Sequence, residues 1–155
     1  MRRAYLSLGS NVGDRAKHLT LGIEIVAAQD PCRQSRVYET EPVGGVAQDD
    51  FWNVVVELDT AASPRELLER GRRAEAACER RREVRWGPRT LDVDVLLVGD
   101  LLSSDPEILI PHPRLYGRAF VLEPLRELAP ELVSEEQRLA GVGRVVALGT
   151  LESLR

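Results

Sequence analysis

The segment Phe51 to Asp59 constrains this chain most. It reads Phe-Trp-Asn-Val-Val-Val-Glu-Leu-Asp and alternates with period two. Trp52, Val54, Val56 and Leu58 fall on one side of an extended backbone, and Phe51, Asn53, Val55 and Glu57 on the other. Such a pattern belongs in a sheet, so the flanking segments have to supply its partners and its cover.

Upstream, Ala4 to Leu8 is a short apolar run ending in the loop signal Gly9-Ser10-Asn11. From about Asp14 the period becomes helical, with Leu19, Ile23, Val26 and Ala27 on one stripe, and Pro31 closes it. His18 lies on this helix and is expected to face solvent. Arg36 to Tyr38 is a second strand candidate and runs into a polar, Gly-containing loop over residues 41–50. Downstream, Ser63, Pro64 and Glu66 are an N-cap, a first-turn proline and the third member of a capping box. The helix they begin runs through Leu67, Leu68, Ala74 and Ala77. Gly87-Pro88 breaks regular structure, and Leu91 to Val98 is an apolar strand carrying Asp92 and Asp94. Leu109 to Arg114 is extended or turn-like because each proline restricts the residue before it. Arg118 to Leu128 reads as a helix with Pro124 in an early turn, and the tail after Pro130 has no clear pattern.

The order β-α-β-β-α-β predicts an α+β sandwich with an antiparallel sheet and helices on one face. With no repeats and no linker, residues 1–155 are expected to form one domain. Net charge is 21 − 25 = −4, which argues against general nucleic-acid binding, although nine arginines fall between Arg65 and Arg89. No apolar run approaches the roughly 20 residues that span a bilayer, so no membrane partner is expected. The apolar stretch at the start is too short for a signal peptide and reads as a first strand; a cytoplasmic location is expected. Cys32 and Cys78 do not make a disulfide scaffold and are expected to be inert.

Asp92 and Asp94, two apart on a strand, share a face about 7 Å apart. Among Leu91, Val93, Val95, Leu96 and Leu97 they are costly unless something positive holds them. They suit two Mg2+ ions against a triphosphate, but an acidic sheet edge accounts equally well for an isolated Asp-x-Asp. Arg80, Arg82, Arg85 and Arg89 carry the bidentate fork that matches phosphate oxygens, and they lead through Trp86-Gly87-Pro88 into the aspartates. No P-loop or protein-kinase motif is present. Gly9-Ser10 lies some eighty residues from Asp92, too far for a polymerase-β-like nucleotidyltransferase unit. His112, between two prolines, is either a surface histidine or a phosphate contact. Phe51 with Asn53 could stack on and hydrogen-bond a flat heterocycle, or simply pack under a loop.

Taken in order, Tyr5 to Asn11, Thr40 to Gly44, Phe51-Trp-Asn53, Arg85 to Asp94, Pro111-His112 and Arg118-Ala-Phe120 resemble the 6-hydroxymethyl-7,8-dihydropterin pyrophosphokinase family over about the first 130 residues. The resemblance implies a ferredoxin-like α+β sandwich, a mainly antiparallel sheet with helices packed on it. It implies pyrophosphoryl transfer from ATP to the pterin hydroxymethyl group in folate biosynthesis, giving AMP, with two Mg2+ ions. By the same resemblance Arg82, Arg89, Asp92 and Asp94 are catalytic, and the two aspartates are the metal ligands. Glu75, Arg80, Arg85, Trp86, His112 and Arg118 match ATP contacts, while Thr40, Pro42, Val43, Phe51, Asn53 and Phe120 match pterin contacts. This chain departs from the family at Glu79, often Gly, and at Pro113, a Tyr in some members. Two rivals remain. One is an RNA-binding module, opposed by 5% aromatic content and by two aspartates on a strand expected at the sheet centre. The other is a nucleotide-binding relative without turnover.

Overall fold

The computed structural model describes residues 1–42, 48–78 and 90–155. Strands β1 (Arg2–Ser10), β2 (Cys32–Gln34), β3 (Val37–Thr40), β4 (Phe51–Thr60), β5 (Asp92–Val98) and β6 (Val145–Gly149) form one sheet. Its order is β5-β1-β4-β3-β6, with β2 also paired to β4, and every pairing is antiparallel. With α1 (Arg15–Ala27) after β1 and α2 (Pro64–Cys78) after β4, strands β1 to β5 carry the expected ferredoxin-like order, the one strand expected before β4 being divided into β2 and β3, which both pair with β4.

The alternation of β4 is realised on both faces. Val54, Val56 and Leu58 join Leu6 and Leu8 of β1 in a core closed by Leu19, Ile23 and Val26 of α1 and Leu67 and Ala74 of α2. Each buried Val, Leu or Ile side chain among them contributes about 1.5–3 kcal/mol. Asp14 caps α1 by accepting from the Lys17 N–H, and Ser63 Oγ accepts from the Glu66 N–H at 3.1 Å at the start of α2. On α2 the buried stripe is Leu67, Gly71, Ala74 and Cys78; Ala77, expected on it, is exposed. Arg70 locks the two helices. Its Nη1 donates to the Val26 carbonyl at 3.0 Å and pairs with Asp30 at 2.7 Å, satisfying the carboxyl end of α1.

The helices are not confined to one face. α3 (Ala119–Leu128) crosses the opposite side, where Val121, Leu122, Leu125 and Leu128 pack on Tyr5, Val55 and Leu96. The expectation of a single helical face came from the β-α-β-β-α-β segment, and α3 follows that segment in sequence. Asp92, Gly9, Asn53 and Phe51 lie on the same face toward the other end of these strands, with Gly9 and Asn53 buried. Pro124 is the sixth residue of α3, later than an early turn, and it removes the N–H that would bond the Phe120 carbonyl. Beyond it come two further helices, α4 (Glu135–Ala140) and α5 (Leu151–Leu154), on either side of β6. Among the described residues no helix is long and apolar enough to cross a membrane.

Candidate active site

Asp92 and Asp94 are the first and third residues of β5, which is an edge strand rather than the central one expected. In register, Asp92 lies opposite Gly9 and Asp94 opposite Ser7 of β1, while Gly9 lies opposite Asn53 of β4. The two carboxylates therefore share a sheet face with Asn53, as period two requires. Val93, between them, turns to the other face and packs against Gly71 of α2. Its N–H donates to Glu75 Oε2 at 3.0 Å. Glu75, matched by resemblance to a nucleotide contact, thus holds the strand that presents the aspartates.

His112 is aimed at this corner by its backbone. Its N–H donates to the Leu96 carbonyl at 3.0 Å, and its Nδ1 accepts from the Arg114 N–H at 3.2 Å. A neutral ring with Nδ1 accepting carries its hydrogen on Nε2, and Nε2 stands 3.6 Å from Asp94 Oδ1. Arg118 also feels Asp94. Burial and then the charge of Arg114 lower the affinity of its guanidinium for its proton, while Asp94 raises it. The group stays charged in any case. Asp94 itself is 50% exposed, so a ligand can reach it.

Asn53 is 3% exposed and fully oriented. Its Nδ2 donates to Thr40 Oγ1 at 2.9 Å and to the Tyr38 carbonyl at 3.3 Å. With both amide hydrogens engaged, Oδ1 remains as an acceptor, turned toward Gly9. Phe51, half-buried, flanks the same gap and pairs in register with Thr40. Phe120, half-buried in the first turn of α3, lies beneath the Arg118 guanidinium at 5.4 Å. Pro42 is half-buried just beyond β3. β3 is fastened to α3 by Glu127, which accepts from Tyr38 Oη at 2.6 Å and pairs with Arg36 at 3.1 Å. Burial first, and then Glu127, push the Tyr38 phenol up to about 12.

On the other face, Trp52 is sandwiched. Arg15 stacks 4.4 Å from its ring and its Nε1 donates to Glu39 at 3.1 Å. Arg15 also donates to the Asp50 carbonyl and Asn11 to the Asp49 carbonyl, so residues 48–50 are held on the β1–α1 turn. His18 is half-buried rather than solvent-facing, with Nδ1 shielded beside the ends of both helices, where its carbonyl meets Cys78 Sγ at 3.7 Å. Cys32 is exposed and Cys78 buried.

One feature escaped the sequence. A cavity of about 160 Å³ opens along the β5 edge, lined by Leu68, Val95, Ile108 and Leu109, with Asp94 and His112 on its rim. Nothing distinguishes those aliphatic residues from core residues until the chain is folded. Its outer wall is pinned by ion pairs from Arg65 to Asp105 at 2.9 Å and from Arg72 to Glu107 at 3.0 Å. Val43, Arg80, Arg82, Arg85, Trp86 and Arg89, and with them Glu79, lie outside the described residues. Among the described residues no three or more His, Cys, Asp or Glu side chains are grouped to hold a metal. Magnesium does not require such a cage, since one or two carboxylates and the substrate's phosphates suffice.

The chain matches the family 7,8-dihydro-6-hydroxymethylpterin-pyrophosphokinase (HPPK) over residues 5–130. A 2-amino-4-hydroxy-6-hydroxymethyldihydropteridine pyrophosphokinase of Bacillus subtilis (strain 168) is 43% identical over 135 residues, covering 85% of this chain and 81% of its own. The protein of the same name from Methylorubrum extorquens is 47% identical over 136 residues, with 86% of each chain covered. Among solved structures, Plasmodium falciparum HPPK-DHPS aligns with 99% of this chain at a TM-score of 0.59 and 15% identity, a likeness of fold alone. This chain spans 43% of that longer polypeptide. By these matches the chain belongs to the 7,8-dihydro-6-hydroxymethylpterin-pyrophosphokinase family, and it is an enzyme of that kind.

Proposed function

We propose that the chain performs this reaction with the residues assembled on the sheet face that carries α3, at the end where Asp92, Gly9, Asn53 and Phe51 lie, using ATP as donor and 6-hydroxymethyl-7,8-dihydropterin as acceptor. The reading is carried by one juxtaposition: the Asp94, His112 and Arg118 corner shares a sheet face with the oriented Asn53 amide. From β5 to β4 is two strand spacings, about 10 Å. That suits a bicyclic heterocycle recognised at one end and phosphorylated on an arm at the other.

Asn53 Oδ1 accepts from a ring N–H or amino group of the pterin, with the ring lying between Phe51 and Phe120 beside Thr40 and Pro42; Val43 is added on the strength of the sequence resemblance. ATP lies along the β5 edge. The cavity between Leu68, Val95 and Ile108 receives its adenine, and His112 Nε2–H and Arg118 meet phosphate oxygens. Arg80, Arg82, Arg85 and Arg89 bear on the triphosphate and Trp86 covers it, on the strength of the sequence resemblance. Asp92 and Asp94 are oxygen donors two apart on an accessible strand edge, a set that fits magnesium, and two Mg2+ ions are the expectation. When bound, Mg2+ supplies neutralisation of the charge that develops on the phosphate oxygens.

The substrate hydroxymethyl oxygen forms a bond to the β-phosphorus as the bond from that phosphorus to the α-phosphate oxygen breaks, AMP departs with the electron pair, and the hydroxyl proton is released in the overall reaction. The protein positions both substrates, supplies positive charge and excludes water. The test is to incubate the protein with MgATP and 6-hydroxymethyl-7,8-dihydropterin and to separate the nucleotides. AMP that appears only with the pterin supports the reading; ADP, or no product, refutes it.

A further inference from the structure

Residues 141–149 lie beyond the part of the chain that matches the family, and none of the chemistry above uses them. They touch both sides of the acceptor pocket. Gly141 sits so close to the start of α3 that a Cβ there would stand 2.8 Å from Leu122 Cδ1 and 3.3 Å from the Ala119 backbone. Val142 then brackets Arg118 with main-chain bonds. Its N–H donates to the Gly117 carbonyl at 3.1 Å, and its carbonyl accepts from the Ala119 N–H at 3.0 Å. The Ala119 N–H is one of the helix-start donors left without an intrahelical partner, so this bond fixes the turn that carries Arg118 and Phe120.

Three residues later Val145 is opposite Thr40 at the start of β6, and Thr40 holds the Asn53 amide. Three residues reach at most about 11 Å, so this short link limits how far the Phe120 turn can stand from the Thr40 strand. The redirection occurs at Gly143, whose φ of +112° is closed to residues with a side chain. We infer that residues 141–145 are a positioning clamp that sets the width of the pterin pocket, with Gly143 as the residue that fixes its angle. The inference rests on the assignment of Phe120, Thr40 and Asn53 to the pterin.

Two variants test it without touching the core. Gly143→Ala adds a methyl that meets no atom within 4 Å, so only the backbone angle is strained. Val142→Pro deletes the N–H to Gly117; the Val142 side chain is 76% exposed, and Gly141 already has the ψ of 135° that a following proline demands. The KM for each substrate is measured by AMP formation, and the Ala119 amide is followed by hydrogen exchange. Each variant is expected to raise the pterin KM fivefold or more, about the effect of a lost or misplaced contact, to raise the MgATP KM by a smaller factor because the same turn carries Arg118, and to speed Ala119 exchange. Three results overturn the clamp: an unchanged pterin KM with faster exchange, a MgATP KM that rises as much as the pterin KM or more, or unchanged exchange in both variants. The wild-type control separates the two levels. No pterin-dependent AMP there refutes the reaction, whereas an active wild type with unaltered variants refutes the clamp alone.

Discussion

Gly9→Ala tests the pterin end of the site with a single methyl group. The added Cβ would stand 2.8 Å from Asn53 Oδ1, 3.6 Å from Phe51 Cδ1 and 3.9 Å from Asn53 Cγ. The Asn53 amide cannot swing aside freely, because its Nδ2 is held by Thr40 Oγ1 and the Tyr38 carbonyl. Relieving the clash means breaking or stretching those two bonds, each worth about 0.5–1.5 kcal/mol net. Alanine in place of a strand glycine returns about 0.5–1 kcal/mol through backbone entropy. The net loss of stability is therefore about 0.5–2 kcal/mol, or a few degrees in Tm for a chain of this size. The functional loss is larger in proportion. Asn53 Oδ1 is displaced from its acceptor position, and one hydrogen bond of about 1.4 kcal/mol is a tenfold change in affinity. The assay is steady-state AMP formation with each substrate varied in turn, beside a thermal melt. The pterin KM should rise about tenfold while the MgATP KM changes less than twofold. A folded variant with the wild-type pterin KM would refute both the assignment of Asn53 and the crowding argument.

Other perturbations separate the remaining parts. Arg82→Ala and Arg89→Ala should each reduce turnover far more than they weaken MgATP binding, as followed by single-turnover kinetics and nucleotide titration; equal losses would sink that division of labour. Glu75→Ala strands the Val93 N–H and should cost about 1 kcal/mol or more in urea denaturation, while Glu75→Gln keeps an acceptor oxygen and loses less. Equal losses would mean that the bond does not matter. Burial alone would raise the Asp30 carboxyl, but the hydrogen bond from Thr60 and the pairing with Arg70 outweigh it and hold the group below its usual 3.8. Its contribution is then complete above the unfolded pKa and disappears as pH falls through the folded one. Asp30→Asn should be less stable than wild type at pH 7, and the gap should narrow as the pH falls below 3.8; a gap that stays constant into acid would contradict the linkage.

What could be read in the sequence was whatever side chains announce. β4 was legible because both of its faces are packed, and α1 and α2 were legible from their stripes, α2 also from the cap at Ser63. β2 and β6 were not. All three residues of β2 are exposed, and β6 alternates no apolar face, since main-chain bonding rather than burial holds each in the sheet. His18 was misjudged because its environment is made by Gly13 and the end of α2, sixty residues apart in sequence from His18 itself at Cys78. Likewise the cavity along β5 is assembled from α2, β5 and the segment before His112, and no local pattern encodes a space between them.

The aspartates show why the sequence left two explanations of equal weight. An acidic sheet edge and a magnesium site were alternatives, and the fold makes them the same place. Two carboxylates on a central strand would be enclosed by neighbours on both sides and would pay the full cost of lost hydration. At the edge Asp94 keeps half its exposure, and the outer side of β5 is open to a nucleotide. An open edge also invites pairing by another strand. Here Glu75 takes the Val93 N–H, and the Arg65, Arg72, Asp105 and Glu107 ion pairs hold a wall beside it. The edge position therefore does not decide between the two explanations. What favours a ligand site is the arrival of His112 Nε2 at 3.6 Å from Asp94, with Arg118 close enough to feel its charge. A merely solvated edge has no need of a histidine oriented by two main-chain bonds.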